Sequence, residues 1–347
     1  MSHPAGHRDF KEVEWINAHG PHLGAWRALE RVTGRAAESG AAGGRERGGG
    51  PRAEAAMGVE RVPAGFTEQR AGVGQITMNY VRGGAGPPLV LLHGYPQCWY
   101  MWRHLLPELG RSFDVVAPDL RGFGGSDAPD AGYDKKTVAA DLHGLLDQLG
   151  LVGDLRLVGH DLGTMVAYAY AAAHPQRVSR LVLSEAPIPD ESIYTFPALT
   201  SAGPGVWNFG YFSIGNGLPE ALVNGRESLW VDRFTDALMV RKGSIAGPDV
   251  EEFASHLRDP AHLRASFAYF RAFEQDIADN AAYRGTKLTM PVLAVGAAAS
   301  LGGQVAEQIR RYADTVRGEV IEDCGHWLYE ERPDEMLALL RGFLRAS

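Results

Sequence analysis

The chain has 347 residues, 34 basic and 42 acidic, for a net charge of −8. That balance argues against binding nucleic acid or an anionic membrane through bulk charge, and no apolar run approaches the roughly 20 residues of a membrane span. Only two cysteines occur, Cys98 and Cys324, far apart; they read as free thiols in a reducing, cytoplasmic setting.

Residues 1–56 differ from the rest. Gly40 to Arg52 is rich in Gly, Ala, Arg and Glu, too apolar-poor to order itself. His3, His7, His19 and His22 are loosely spaced and no Cys joins them, so a solvated tail is expected rather than a metal site. The whole stretch reads as a disordered extension, dispensable or the product of an upstream start codon, and the absence of an apolar signal core argues against export. Met57 opens a segment that reads as a domain start.

Strands begin near Phe66. Gly74 to Val81 alternates, Gly83 to Pro87 is a turn, and Pro88 to Leu92 is a continuous apolar run, as expected of a parallel strand buried on both faces. It ends in His93-Gly94-Tyr95-Pro96, where His93 is expected to brace the loop. A strand at Asp114 to Asp119 leads into a Gly-rich loop, Leu120 to Asp127. That loop lacks the spacing of a phosphate cradle and reads as structural. Val138, Leu142, Leu145 and Leu149 recur at helical spacing over residues 136–149.

Residues 158–164, Val-Gly-His-Asp-Leu-Gly-Thr, lie between a β-leaning run and an Ala-rich helical one. Gly-x-Asp-x-Gly in that context predicts a sharp strand–helix turn with Asp161 exposed at its apex. A carboxylate there suits attack on a saturated carbon bearing a leaving group, because the ester formed can be hydrolysed by water. It points to epoxide opening or carbon–halogen displacement, not to esterase or peptidase work.

Arg180 to Ser184 is the next strand, ending at Glu185. Residues 188–285 then lose the strand–helix alternation and are rich in aromatics. They are expected to form a helical cap inserted into a core of residues 57–187 and 286–347. The sheet resumes at Pro291 to Val295 and at Gly318 to Asp323, followed by Cys324-Gly325-His326-Trp327. Pro333 opens a last helix, with Asp334 and Glu335 in its first turn.

From Phe66 onward the chain resembles the α/β-hydrolase superfamily, in its branch of epoxide hydrolases and dehalogenases, and is similar to the Cif-type bacterial epoxide hydrolases. The carrying segments are His93-Gly94 with Trp99-Tyr100 and Trp102, Glu185-Ala186-Pro187-Ile188-Pro189-Asp190, Ser266-Phe267 through Arg271-Ala272, and Cys324 to Leu328. The resemblance implies an α/β fold with a mostly parallel central sheet flanked by helices. It implies Asp161 as nucleophile, His326 as the base that activates water, and Glu185 as its acid partner, since Ala297 to Ser300 offers no acid, with Asp190 in reserve. The backbone N–H groups of Tyr95 and Leu162 would form the oxyanion hole, where losing one donor typically costs about 10²–10³ in rate.

The departures lie in the cap. The family presents two donors there, Tyr-Tyr or His-Tyr, to the leaving oxygen. Here Asn208, beside Trp207, stands at the His position. Phe270 stands where the Tyr precedes Arg271, with Tyr269 one helical step away, about 100° around. These four residues are the expected substrate-pocket set, with Tyr194, Tyr211 or a water as further donors. Dehalogenases are the alternative, since halide leaves without a proton and fluoroacetate dehalogenases share the His-Gly-aromatic-Pro-Gln run of residues 93–97. Leu162 is neither the Trp of haloalkane dehalogenases nor the Arg of fluoroacetate dehalogenases. A non-catalytic ligand-binding member of the fold is the remaining alternative. The expected partners are a small apolar electrophile, epoxide or organohalide, and water. No nucleic acid, membrane, organic cofactor or metal is expected, and a homodimer is left open.

Overall fold

The computed structural model describes residues 61–201 and 203–345. The extension read at 1–56, with its four histidines, lies outside the described residues. The N-terminal strands are β1 (Phe66–Val73), β2 (Ile76–Gly84), β3 (Pro88–Leu92) and β4 (Asp114–Pro118), with a short helix α1 (Leu106–Leu109) before β4. Then follow α2 (Lys135–Gln148), β5 (Leu155–His160), α3 (Leu162–Ala173) and β6 (Val178–Ser184). Beyond β6 come a small hairpin, β7 (Leu199–Thr200) and β8 (Gly203–Pro204), and α4 (Trp207–Phe212), α5 (Leu218–Val223), α6 (Glu227–Leu238), α7 (Gly247–Ser255), α8 (Pro260–Arg271) and α9 (Phe273–Ala281). The chain returns through β9 (Val292–Ala297), α10 (Gln304–Ile309), β10 (Val316–Ile321), α11 (Leu328–Glu331) and α12 (Pro333–Leu344).

Eight strands form one sheet in the order β1-β2-β4-β3-β5-β6-β9-β10. β2 pairs antiparallel with β1 and β4, and every other pairing is parallel. The parallel strands carry the apolar runs: Leu89 to Leu92 and Val292 to Val295 are fully buried, as burial on both faces requires. Their carboxyl ends share one edge of the sheet. The loops after β3, β5, β6 and β10 therefore meet there, the usual place for a site in an open α/β sheet.

The expected helix at residues 136–149 is observed one residue earlier. Asp134 caps it, its Oδ1 accepting the Thr137 N–H at 2.8 Å, and Val138, Leu142 and Leu145 are buried. The Gly-rich loop wraps a buried carboxylate: Asp119 accepts the N–H groups of Trp99 at 2.8 Å and Gly125 at 2.9 Å. A Cβ on Gly124, where φ is +51°, would overlap that carboxylate. Helix α9 is tied to the start of α2 by a buried ion pair. The Lys135 ammonium lies 2.6 Å from Asp276 Oδ2, and the Lys135 N–H donates to Asp276 Oδ1 at 2.7 Å.

Candidate active site

Asp161 sits between β5 and α3 at φ 52°, ψ −123°, a region that residues with a Cβ rarely occupy. Surrounding bonds hold it there. Its N–H donates to Ser184 O at 3.0 Å and its carbonyl accepts Thr164 N–H at 2.9 Å. The Thr164 hydroxyl accepts the Ser184 N–H at 2.9 Å. Close approach fixes the flanking glycines: a Cβ on Gly159 would overlap the Gly163 carbonyl, and one on Gly163 the Leu92 carbonyl. From the β3 loop, Tyr95 N–H donates to Asp161 Oδ1 at 2.8 Å. Burial pushes the carboxyl pKa up; His326 and the amides of Leu162 and Tyr95 oppose it without cancelling it.

His326 is carried on the loop after β10, anchored by its N–H to the Leu238 carbonyl at 3.0 Å. Its Nδ1 lies 3.0 Å from Glu185 Oε2 and its Nε2 lies 3.6 Å from Asp161 Oδ2. Glu185 follows β6 at φ 53°. Its N–H donates to Val295 O at 3.1 Å and its Oε1 accepts the Ala297 N–H at 2.7 Å. Both carboxylate oxygens are thus engaged and the side chain is buried. A carboxylate only accepts, so Nδ1 carries the proton and the Nε2 lone pair is the one available. Burial pulls the imidazole pKa down, but the Glu185 hydrogen bond and the charges of Asp161 and Glu185 outweigh it, leaving it above the ordinary 6.5. His160 packs beside it with ring centroids 4.9 Å apart.

A cavity of about 100 Å³ opens over Asp161 and His326, walled by Tyr95, Asn208, Phe234 and Phe270 among others. Asn208 and Phe270 therefore stand where a bound molecule would meet them. Trp207 does not line the cavity; it lies behind the wall against Phe212, Trp230 and Phe234. Tyr269 requires a correction as a pocket residue. It is fully buried, and its hydroxyl donates to the Arg121 carbonyl at 2.8 Å, between the inserted helices and the core. The helical step separating it from Phe270 carries it off the cavity wall. Asp190 is engaged elsewhere, with Ser192 and Tyr312. His93 Nε2 accepts the Leu120 N–H at 2.9 Å, and burial pulls its pKa to about 4, as suits a neutral brace.

Sequence reasoning missed the side chain of Tyr95 and its partner Trp230, whose indole N–H donates to the Tyr95 hydroxyl at 2.6 Å. Phe234 was missed too. The signal was present only as an aromatic-rich stretch, which does not say which rings face inward. Among the described residues no group of three His, Cys, Asp or Glu side chains is arranged to hold a metal ion, and no helix is long and apolar enough to cross a membrane.

A sharp strand–helix turn carrying Asp161 at the carboxyl edge of such a sheet, with a histidine after the last strand, fits one fold class. The chain belongs to the alpha/beta hydrolase fold family, whose model matches residues 87–333. Within it, the chain is 32% identical over 278 residues to a soluble epoxide hydrolase of a Corynebacterium species, covering 77% of this chain and 93% of that one. It is 31% identical over 302 residues to a fluoroacetate dehalogenase of a Burkholderia species, covering 81% and 94%. Among solved structures it is similar to the Cif epoxide hydrolase from Acinetobacter nosocomialis, with a TM-score of 0.78, 27% identity, and 81% and 90% of the two chains covered.

Proposed function

We propose that this protein is a hydrolase that opens small apolar epoxides to vicinal diols through an ester on Asp161, beneath a cap formed by residues 188–285. One observation carries the reading: Asp161 presents a carboxylate at an elbow with Oδ1 held by the Tyr95 amide and Oδ2 turned toward His326. Oδ2 attacks an epoxide carbon, the C–O bond breaks, and its electron pair stays on the departing oxygen. His326, its tautomer held by Glu185, then takes a proton from water through Nε2, and the hydroxide attacks Cγ of the ester. The charge develops on Oδ1, already bonded by the Tyr95 N–H, with the Leu162 N–H also donating to this carboxylate. Collapse releases the diol and restores the carboxylate. The expected partners are the epoxide and water alone, with no cofactor consumed.

A dehalogenase is the second reading, favoured by the neutral amide of Asn208 in the cavity and by the 31% identical relative. Against a haloacid substrate, no Lys or Arg is among the described residues lining the cavity, so nothing there pairs with a substrate carboxylate.

Intact-protein mass spectrometry of His326→Gln, with Asp161→Ala as control, separates the two. Incubation with styrene oxide is expected to add the mass of the whole epoxide to the first variant and nothing to the second. An adduct only from haloalkanes or haloacetates, at substrate minus halide, would replace the first reading with the second. No adduct from any of them would reject both in favour of a binding protein.

A further inference from the structure

Opening an epoxide leaves an alkoxide that needs a proton, and the residues expected to supply it do not. Tyr269 spends its hydroxyl on the Arg121 carbonyl, Phe270 has none, and Asn208 carries an amide too weakly acidic to protonate an alkoxide. Among the described residues lining the cavity one tyrosine remains, Tyr95; Tyr194 and Tyr211 do not line it.

Its ring, not only its backbone, belongs to the site. It packs edge-on against Phe234 with centroids 5.3 Å apart and against Phe270 at 5.7 Å, and both of those rings wall the same cavity. The Tyr95 oxygen accepts the Trp230 indole N–H at 2.6 Å. Among the described residues nothing accepts the hydroxyl proton in return. The Tyr95 oxygen thus accepts one hydrogen bond while its proton is uncommitted; burial pushes its pKa up and the indole N–H pulls it part of the way back.

Resting on the epoxide reading above, we propose that Tyr95, with Trp230 behind it, is the acid that protonates the leaving oxygen. As Asp161 Oδ2 bonds to the epoxide carbon and the C–O bond breaks, the oxygen takes the Tyr95 proton. The products of this half-reaction are a hydroxyalkyl ester and a phenolate, which the indole N–H stabilises. Hydrolysis of the ester yields one proton when the Asp161 carboxylate reforms, and that proton returns to the phenolate. One residue thereby serves twice, its amide on the carboxylate oxygen and its hydroxyl on the substrate oxygen.

The test is the rate of ester formation with styrene oxide, read by quenched-flow mass spectrometry in the His326→Gln background. Tyr95→Phe keeps the ring contacts and is expected to slow this step about 10²–10⁴-fold. Trp230→Phe keeps the phenol but removes its support and is expected to slow it about tenfold; it decides the matter should Tyr95→Phe fail to fold. Rates within threefold of the parent in the folded variants would overturn the inference while leaving the epoxide reading intact. A larger loss in Asn208→Leu than in Tyr95→Phe would also overturn it, assigning the donor to Asn208. No ester from the parent would remove the epoxide reading and this inference together.

Discussion

The Nε2 of His326 stands 3.6 Å from Oδ2 of Asp161, beyond hydrogen-bond length for this pair. The gap leaves the proposed nucleophile unbonded to His326 and leaves the imidazole lone pair free for water. Base action requires neutral His326, and its pKa is raised, so turnover is expected to fall as pH drops through a value above 6.5. Each anionic neighbour favours the imidazolium, so Asp161→Asn and Glu185→Gln are both expected to lower the His326 pKa. NMR titration of the imidazole checks the direction. Glu185→Gln is also expected to cost about 10³–10⁴ in kcat through loss of the tautomer and of imidazolium stabilisation.

Gly94 leaves no room beside Asp161. A Cβ there would overlap Cβ and Oδ1 of Asp161. Gly94→Ala is expected to displace the carboxylate from the Tyr95 amide and to lower kcat/KM at least 10²-fold. Steady-state kinetics on the folded variant check this.

The Lys135–Asp276 pair is buried on both sides. Asp276→Ala strands an ammonium away from water and is expected to destabilise the protein by about 3–5 kcal/mol. The double variant Lys135→Met with Asp276→Leu is expected to recover most of that loss. Denaturant unfolding of the three proteins measures both.

Tyr269→Phe removes one buried hydrogen bond and no cavity contact. It is expected to cost about 1 kcal/mol of stability and to leave kcat and KM within twofold of the parent. A large fall in kcat would return Tyr269 to the site.

The sheet was legible because its strands are apolar runs between turn signals, and parallel strands buried on both faces leave that trace. Asp161 was legible for a local reason: the glycines at 159 and 163 are imposed by backbone contacts within a few residues and across to β3. Glu185 and His326 could be singled out only through resemblance, since the bond between them closes a loop of 141 residues. The helical stretch between β6 and β9 was poorly legible. Tyr269 and Phe270 are adjacent, equally aromatic and both buried, and only packing against Arg121 or the cavity distinguishes them. Tyr95 was read for its amide alone, because nothing in sequence joins it to Trp230, 135 positions later.

Among the described residues four other than glycine have positive φ: Asp154, Asp161, Glu185 and Asp323. Two are the proposed nucleophile and the proposed acid partner, and a third lies three residues before the proposed base. Each such conformation costs of order 1–3 kcal/mol, and glycine would relieve it. Selection for thermal robustness alone would therefore push these positions toward glycine, dismantling the site as the scaffold improved. Sequence drift and catalysis pull in opposite directions here, so side chains that persist at 161 and 185 in any descendant of this chain mark continued use of the reaction.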